Sequence, residues 1–286
     1  MFSFRRDQFR AIFLGVLIAD ALSYRRLPWG VPASFEGGQR AETMATPFSS
    51  AIASDRWCRE MIRSLCLPLE KGPLRQDIPL ESGPTAGEKT DPGSQGIEAM
   101  LATLPLFLQE LDPPDSTFPS WVNPNSQTSP AAVLTFHQGM AALLNANIAL
   151  ARKAWIEIAQ MGSSSQNPEA GLISLAFEQV FLADGDFGLT LGQSLHSPSE
   201  LPGLPILSGI LSACWVGSRG IPVRWYQALI TPPATLQAWL QQRWQIPSIQ
   251  RIETGTEGLW HRWLGSDASP SRTRKNTAYP VVQPVI

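Results

Sequence analysis

The chain has 286 residues, of which 43% are hydrophobic and 16% charged, so it is long enough to bury a large core. Its formal net charge of −2 gives no reason to expect nucleic acid or an anionic membrane as a partner. The three cysteines are widely spaced and form no C-x-x-C pair, which favours a soluble protein of the reducing cytoplasm.

The first predicted element is a helix over residues 7–22, where apolar side chains recur at helical spacing. It contains the apolar run from Ala11 to Ile18, which follows two arginines and is open to two interpretations. A signal peptide would look similar, whereas Asp20 shortly after the run favours a helix buried in the mature protein. The run is also far shorter than the ~20 residues that a membrane span needs.

Helical patterns continue along the chain, and no long alternation of Val, Ile and Thr predicts strands. The further predicted helices are residues 55–65, 97–111 (kinked or divided by Pro105), 131–160, 167–183, 223–230 and 235–245. Residues 68–96 are rich in Pro, Gly and charge and are expected to form a flexible loop, and residues 265–286 a disordered tail. The sequence thus predicts an all-α fold with one domain over residues 1–264.

Residues 187–225 carry the most informative pattern of the chain. A helix, a polar loop rich in Pro and Ser, a helix of small and apolar residues at 204–216, a Gly turn and the Ile221-Pro222 start of another helix follow one another. Gly15 and Gly209 lie on strongly apolar helices, where small residues let two backbones approach closely. Since Gly costs a helix about 1 kcal/mol relative to Ala, a packing reason is expected for both.

The order of these elements resembles the metal-site region of the ADP-ribosylglycohydrolase family. Ile221, Pro222 and Trp225 are similar to that family's Ile-Pro-x-x-Trp, and residues 9–23 (FRAIFLGVLIADALS) to its opening Gly-Asp-Ala-Leu-Gly helix. Residues 96–108 (GIEAMLATLPLFL) are similar to its central Met-x-x-x-Pro-Leu helix. The resemblance implies a single-domain orthogonal helical bundle and, in the family, magnesium-dependent hydrolysis of ADP-ribosylated substrates.

The ligands that the resemblance implies for magnesium are mostly missing. The family places a Thr-Asp-Asp-Thr motif after the first helix, where this chain has hydroxyls and no adjacent acid pair. In the later Asp-x-Asp-Thr motif, Glu200 takes the first acidic position, while Pro202 and Gly203 replace the second Asp and the Thr. Because magnesium requires oxygen ligands, we expect neither a metal site nor another cofactor.

The leading hypothesis is therefore a catalytically inactive pseudoenzyme with a binding or regulatory role toward a protein or small-molecule partner. The alternatives are an active ADP-ribosyl hydrolase with an altered site and an unrelated helical interaction protein. The candidate catalytic residues are Asp20, Glu200 and His196, and the candidate remnants of a ligand pocket are Thr46, Ser49, Ser50, Ser197 and Ser199.

Each candidate also has a structural interpretation. Asp20 can be a hydrogen-bond acceptor near a helix end, and the polar loop around His196 can be a solvated surface loop. Ser194, His196 and Glu200 form a Ser/His/acid set in sequence, but such triads depend on three-dimensional geometry. His137 lies on an apolar helix and is expected to be a core or rim histidine.

Overall fold

The computed structural model describes residues 2–25, 27, 52, 55–66, 97–98, 100–109, 130–162, 167–197, 201 and 203–264. Over these residues the regular structure is helical and no strand occurs, which confirms the all-α class. The predicted loop 68–96 and tail 265–286 lie outside the described residues. None of the described helices is both long and apolar enough to cross a lipid bilayer.

The α-helices are α1 (Phe2–Ser23), α2 (Arg56–Cys66), α3 (Leu104–Gln109), α4 (Pro130–Leu144), α5 (Ile148–Gly162), α6 (Pro168–Leu182), α7 (Phe187–Leu195), α8 (Leu204–Val216), α9 (Val223–Ile230), α10 (Ala234–Trp239) and α11 (Gln250–Trp263). A 3₁₀ turn spans Ser218–Gly220, and a π-helical turn spans Leu240–Trp244. Residues 97–98 and 100–102 are also helical.

Helices α1 and α8 form the centre of the fold. Every residue from Leu204 to Cys214 is buried, and α8 packs against α1, α4, α6 and α7. The two central helices run antiparallel, because Asp7 near the start of α1 bonds Ser218 beyond the end of α8, whereas Gly15 meets Gly209. The last turn of α1 and the first turn of α8 therefore lie at the same end of the bundle.

Gly15 and Gly209 provide the close approach that their small size predicts. A Cβ on Gly15 would stand 2.9 Å from the carbonyl oxygen of Gly209, and a Cβ on Gly209 would stand 3.1 Å from that of Gly15. Each glycine therefore contacts the backbone of the opposite helix, which a larger residue would prevent.

Several predicted helix ends are confirmed. Helix α6 begins where Asn167 accepts a hydrogen bond from the backbone N–H of Ala170 and Pro168 occupies the first turn. The helical stretch around Pro105 is divided, because the chain forms a turn at Thr103 before α3 begins.

The single helix predicted over residues 131–160 is wrong, since α4 ends at Leu144 and α5 starts at Ile148. The side-chain amide of Asn145 donates to the carbonyl oxygen of Ala141, and Ala146 adopts a left-handed φ of 54°. The side chain of Asn147 then accepts from the N–H of Leu150, which starts α5. Asparagines compete with the helix for backbone groups, so two of them separated by one residue end one helix and cap the next.

The prediction that helices finish at residue 245 is also wrong. Residues 235–245 form α10 and the π-helical turn, and α11 follows from Gln250 to Trp263. The buried residues of α11 recur at helical spacing and are Ile252, Gly255, Thr256, Leu259 and Trp260. The apolar stripe was interrupted by Gly and Thr, which have low helix propensity, and packing against α1, α2 and α3 stabilises the helix instead.

Candidate functional site

Asp20 lies in the last turn of α1 and has no exposed surface. Nε of Arg243 donates to its Oδ2 at 2.7 Å, and Nη2 of the same arginine donates to its Oδ1 at 3.0 Å. The indole Nε1 of Trp244 donates a further hydrogen bond to Oδ2 at 2.9 Å. Such a two-point contact between a guanidinium and a carboxylate is the strong form of a charged hydrogen bond. Both carboxylate oxygens are therefore engaged inside the core.

Arg243 connects this carboxylate to the chain that precedes α2. Its Nη2 donates to the carbonyl oxygen of Ile52 at 2.7 Å, and the hydroxyl of Tyr24 donates to the same oxygen at 2.7 Å. The guanidinium carbon lies 4.4 Å from the centre of the Tyr24 ring and 5.8 Å from that of Trp57. Aromatic faces attract a desolvated cation, so Arg243 is held by charge, hydrogen bonds and ring contacts together.

The π-helical turn presents Arg243 and Trp244 to the core side by side. Within and before this turn, Trp239, Leu240, Arg243 and Trp244 are buried. The turn ends at Gln245, a non-glycine residue with a left-handed φ of 53°. Single π-helical turns occur often at functional sites, and here the turn supplies all three of these donors to Asp20 through two of its residues.

The charges of this cluster follow from burial and mutual attraction. Burial raises the pKa of Asp20, while the Arg243 charge and the donors of Arg243 and Trp244 oppose that rise. Desolvation lowers the pKa of Arg243, but the attraction of Asp20 outweighs it and the pKa is raised overall. Burial likewise raises the pKa of Tyr24 to about 12. Arg243 therefore stays positively charged at every physiological pH.

Near the end of α7, Ser194 and His196 are not arranged like the serine and histidine of a catalytic triad. The hydroxyl of Ser194 is buried and donates to the carbonyl oxygen of Leu191 in its own helix. Nδ1 of His196 lies 2.9 Å from the carbonyl oxygen of Gly192, and because a carbonyl only accepts, this nitrogen carries the proton. Both side chains thus bond carbonyl groups of α7, and Ser197 follows them at a half-buried position.

The start of α8 meets the chain before α2. Gly203 has a left-handed φ of 86°, and a Cβ at this position would stand 3.2 Å from Cδ1 of Ile52 and 3.2 Å from Cγ2 of Ile97. Ile52 follows the segment that holds Thr46, Ser49 and Ser50, and Gly203 follows the loop of Ser197, Ser199 and Glu200. The structure thus brings Ile52 and Gly203 together, and these are the residues at which the two polar segments stop. Their contact lies at the same end of the bundle as Asp20.

Thr46, Ser49, Ser50, Ser199 and Glu200 themselves lie outside the described residues. Within the described part of the chain, no three His, Cys, Asp or Glu side chains lie close enough together to hold a metal ion.

Reasoning from the sequence selected Asp20 and missed Arg243, Trp244 and Tyr24, which surround it. One signal was present, because Arg243 occupies a position on the buried face of a short helical pattern that also holds Trp239 and Leu240. A charged residue on such a buried face is rarely buried unless it is paired, so the pattern indicates that Arg243 has an acidic partner. Nothing local identified Asp20 as that partner, since 223 residues separate the two.

His137 is a core histidine, as the sequence predicts. Its ring stacks on Phe107 with 3.9 Å between the ring centres. Burial lowers the pKa of His137 to about 3, so the imidazole is neutral in the folded protein.

Comparison with known proteins adds no relative: no protein-family model, curated protein or solved structure matches the chain.

Proposed function

We propose that the chain is a non-catalytic binding or regulatory protein on an all-α scaffold that resembles the ADP-ribosylglycohydrolases. The observation that carries this proposal is the environment of Asp20, the one acid of the opening helix that the resemblance retains. Its carboxylate has no exposed surface and is bound by Arg243 and Trp244. A magnesium ion takes about six oxygen ligands and usually keeps several waters. At Asp20 such an ion would meet the Arg243 charge and a packed core instead.

Gly203 supports the same proposal from the second polar segment. The resemblance assigns a threonine of the family motif to this position. In this chain the backbone has a φ of 86°, a conformation that β-branched residues rarely adopt. A side chain at residue 203 would also meet Ile52 and Ile97 at 3.2 Å. The backbone here is shaped for packing against these two isoleucines, and a metal-binding threonine would not fit in the same conformation.

The proposed working compartment is the cytoplasm. The cysteines Cys58, Cys66 and Cys214 all carry free thiols, and two of them are buried. Free thiols persist where the environment is reducing. The partner is proposed to be a protein or a small molecule, and the resemblance makes ADP-ribose the first ligand to test.

The experiment uses the full chain and measures binding and turnover separately. Calorimetry with ADP-ribose is run in EDTA and in millimolar magnesium, and ADP-ribosyl-arginine and ADP-ribosyl-serine substrates are incubated under both conditions. We expect no magnesium-dependent turnover and the same ADP-ribose affinity in both buffers. Magnesium-dependent turnover would overturn the proposal and identify an active hydrolase with an altered site. Absence of both binding and turnover would instead favour a helical interaction protein unrelated to the family.

The variants must separate chemistry from folding. Asp20→Ala leaves Arg243 buried without its charge partner and is expected to cost about 3–5 kcal/mol of stability, so its inactivity alone is uninformative. Glu200→Ala and His196→Ala test the other two candidate catalytic residues and keep both members of that ion pair. Arg10→Gln is the matched control, because Arg10 bonds Tyr226 and Glu253, far along α1 from Asp20.

A further inference from the structure

The first turn of α8 lacks the side-chain cap that many helices use. Its N-cap residue is Gly203, and among the described residues no side-chain cap bond to the first backbone N–H groups occurs. The turn is closed by backbone bonds from Leu204 N–H to the oxygen of Leu201 and from Leu207 N–H to that of Gly203. The residues that pack against Gly203 therefore contribute to the position of this turn.

Ile52 is one of the two residues that pack there. It is 1% exposed, and its Cδ1 and Cγ1 atoms lie 3.2 Å and 3.6 Å from the place of a Cβ on Gly203. The opposite side of the residue, its carbonyl oxygen, receives hydrogen bonds from both Arg243 and Tyr24. The backbone of Ile52 is thus fixed on one side while its side chain supports α8 on the other.

Asp20 helps to hold Arg243 in the position from which it reaches Ile52. Two of the guanidinium nitrogens point to the Asp20 carboxylate, which fixes the plane of the group, and Nη2 also reaches Ile52. A planar guanidinium held at two points has little freedom left. The order of contacts is therefore Asp20, Arg243, Ile52 and the first turn of α8.

We infer that the Asp20–Arg243 ion pair is a conformational lock that positions the first turn of α8 through Ile52. Arg243 and Tyr24 are positioning residues for Ile52, and through it for Gly203, the two residues at which the polar segments stop. A ligand that binds at this end of the bundle is coupled to the lock if its affinity differs between the locked and the unlocked turn. The inference rests on the proposed function only for the identity of that ligand, and the lock itself is tested without one.

The test is backbone hydrogen exchange of the full chain in three variants. Arg243→Gln removes the charge and the two-point contact, while Tyr24→Phe removes only the hydroxyl that donates to Ile52. Arg10→Gln is the control, since Arg10 joins α1 to Tyr226 and Glu253. The amides of Leu204 and Leu207 report on the first turn of α8, and those of Leu211 and Ala213 report on its middle.

We expect exchange at Leu207 to accelerate roughly tenfold in Arg243→Gln and severalfold in Tyr24→Phe, with little change at Leu211. Arg10→Gln should leave both regions at the wild-type rate. Unchanged rates at Leu204 and Leu207 would overturn the inference. Equal acceleration of the first turn and of Leu211 would overturn it as well, because that result indicates general destabilisation. If Arg243→Gln does not fold, Tyr24→Phe still tests whether loosening Ile52 frees the first turn of α8, and unchanged exchange at Leu204 and Leu207 in this variant would overturn the inference. Absence of ADP-ribose binding by the wild-type chain, together with the exchange rates expected for the three variants, would contradict only the proposed function.

Discussion

The contact between Gly15 and Gly209 decides whether replacing Gly15 by alanine raises or lowers the stability of the protein. In an exposed helix, replacing Gly by Ala raises stability by about 1 kcal/mol, because alanine loses less backbone entropy on folding. At Gly15 the added methyl carbon would stand 2.9 Å from the carbonyl oxygen of Gly209 and 3.3 Å from Cβ of Ala213. Ordinary contacts between such atoms are about 3.5 Å or longer. Helices α1 and α8 would have to separate by roughly half an ångström.

The size of the effect follows from two opposing terms. Overpacking of a core costs about 1–3 kcal/mol, and here the upper part of that range applies because the neighbour is backbone, which cannot rotate away. The helix propensity of alanine returns about 1 kcal/mol. Gly15→Ala is therefore expected to lower the free energy of unfolding by about 1–2 kcal/mol.

Gly258 in α11 offers a matched control. A Cβ at this position meets no atom of the described residues within 4 Å, so Gly258→Ala is expected to gain the helix propensity with no clash. We expect this variant to raise the free energy of unfolding by about 0.5–1 kcal/mol. The same chemical change is thus expected to have opposite signs in the two helices.

Urea unfolding followed by tryptophan fluorescence measures both effects, since the chain has ten tryptophans. Linear extrapolation gives the two free energies, and equal m-values would show that the variants unfold the same structure. If Gly15→Ala stabilises the protein as much as Gly258→Ala does, then α1 and α8 do not approach as closely as the structure shows, and the reasoning fails.

Three further predictions concern buried polar groups. Arg243→Met should lower the free energy of unfolding by about 3–5 kcal/mol, because it leaves the Asp20 carboxylate buried without its cation. Asp20→Asn alone should also destabilise the protein, but adding it to Arg243→Met should restore part of the loss; if urea unfolding shows that the two losses simply add, the ion pair is contradicted. Because burial lowers the pKa of His137 from 6.5 to about 3, the unfolded state takes up a proton first on acidification, and the free energy of unfolding should fall by about 2 kcal/mol between pH 7 and pH 5. His137→Gln should remove this part of the dependence of stability on pH, and a variant that keeps the wild-type dependence would refute the assignment. Burial also raises the pKa of Tyr24 from 10.0 to about 12, so the unfolded state loses its proton first and stability should decline as pH rises through this interval. The stability of Tyr24→Phe should decline less steeply, which urea unfolding at pH 9 to 11 can test.

Local features that the sequence predicted well share one property: the residues that decide them are neighbours along the chain. Asn167 and Pro168 start a helix wherever that helix packs, because a side-chain cap and a fixed φ act within a single turn. The turn at residues 184–186 forms for a similar reason, with left-handed φ values at Asp184 and Gly185 and a capping bond in which the Leu189 N–H donates to the side chain of Asp186. The small and apolar residues of α1 and α8 likewise predict, from the sequence alone, that these helices pack closely.

The tertiary structure decided what depends on residues far apart in the chain. Helix α11 has a broken apolar pattern and is stabilised by the surfaces of α1, α2 and α3. The role of Asp20 depends on Arg243, which lies 223 residues away, and no local pattern can state which buried acid a buried arginine will meet. Sequence periodicity determines which face of a helix is buried, because burial follows from the side chains of that helix alone. The partner of a buried charge is determined only when packed helices bring the two groups together, and that pairing makes Asp20 part of the core.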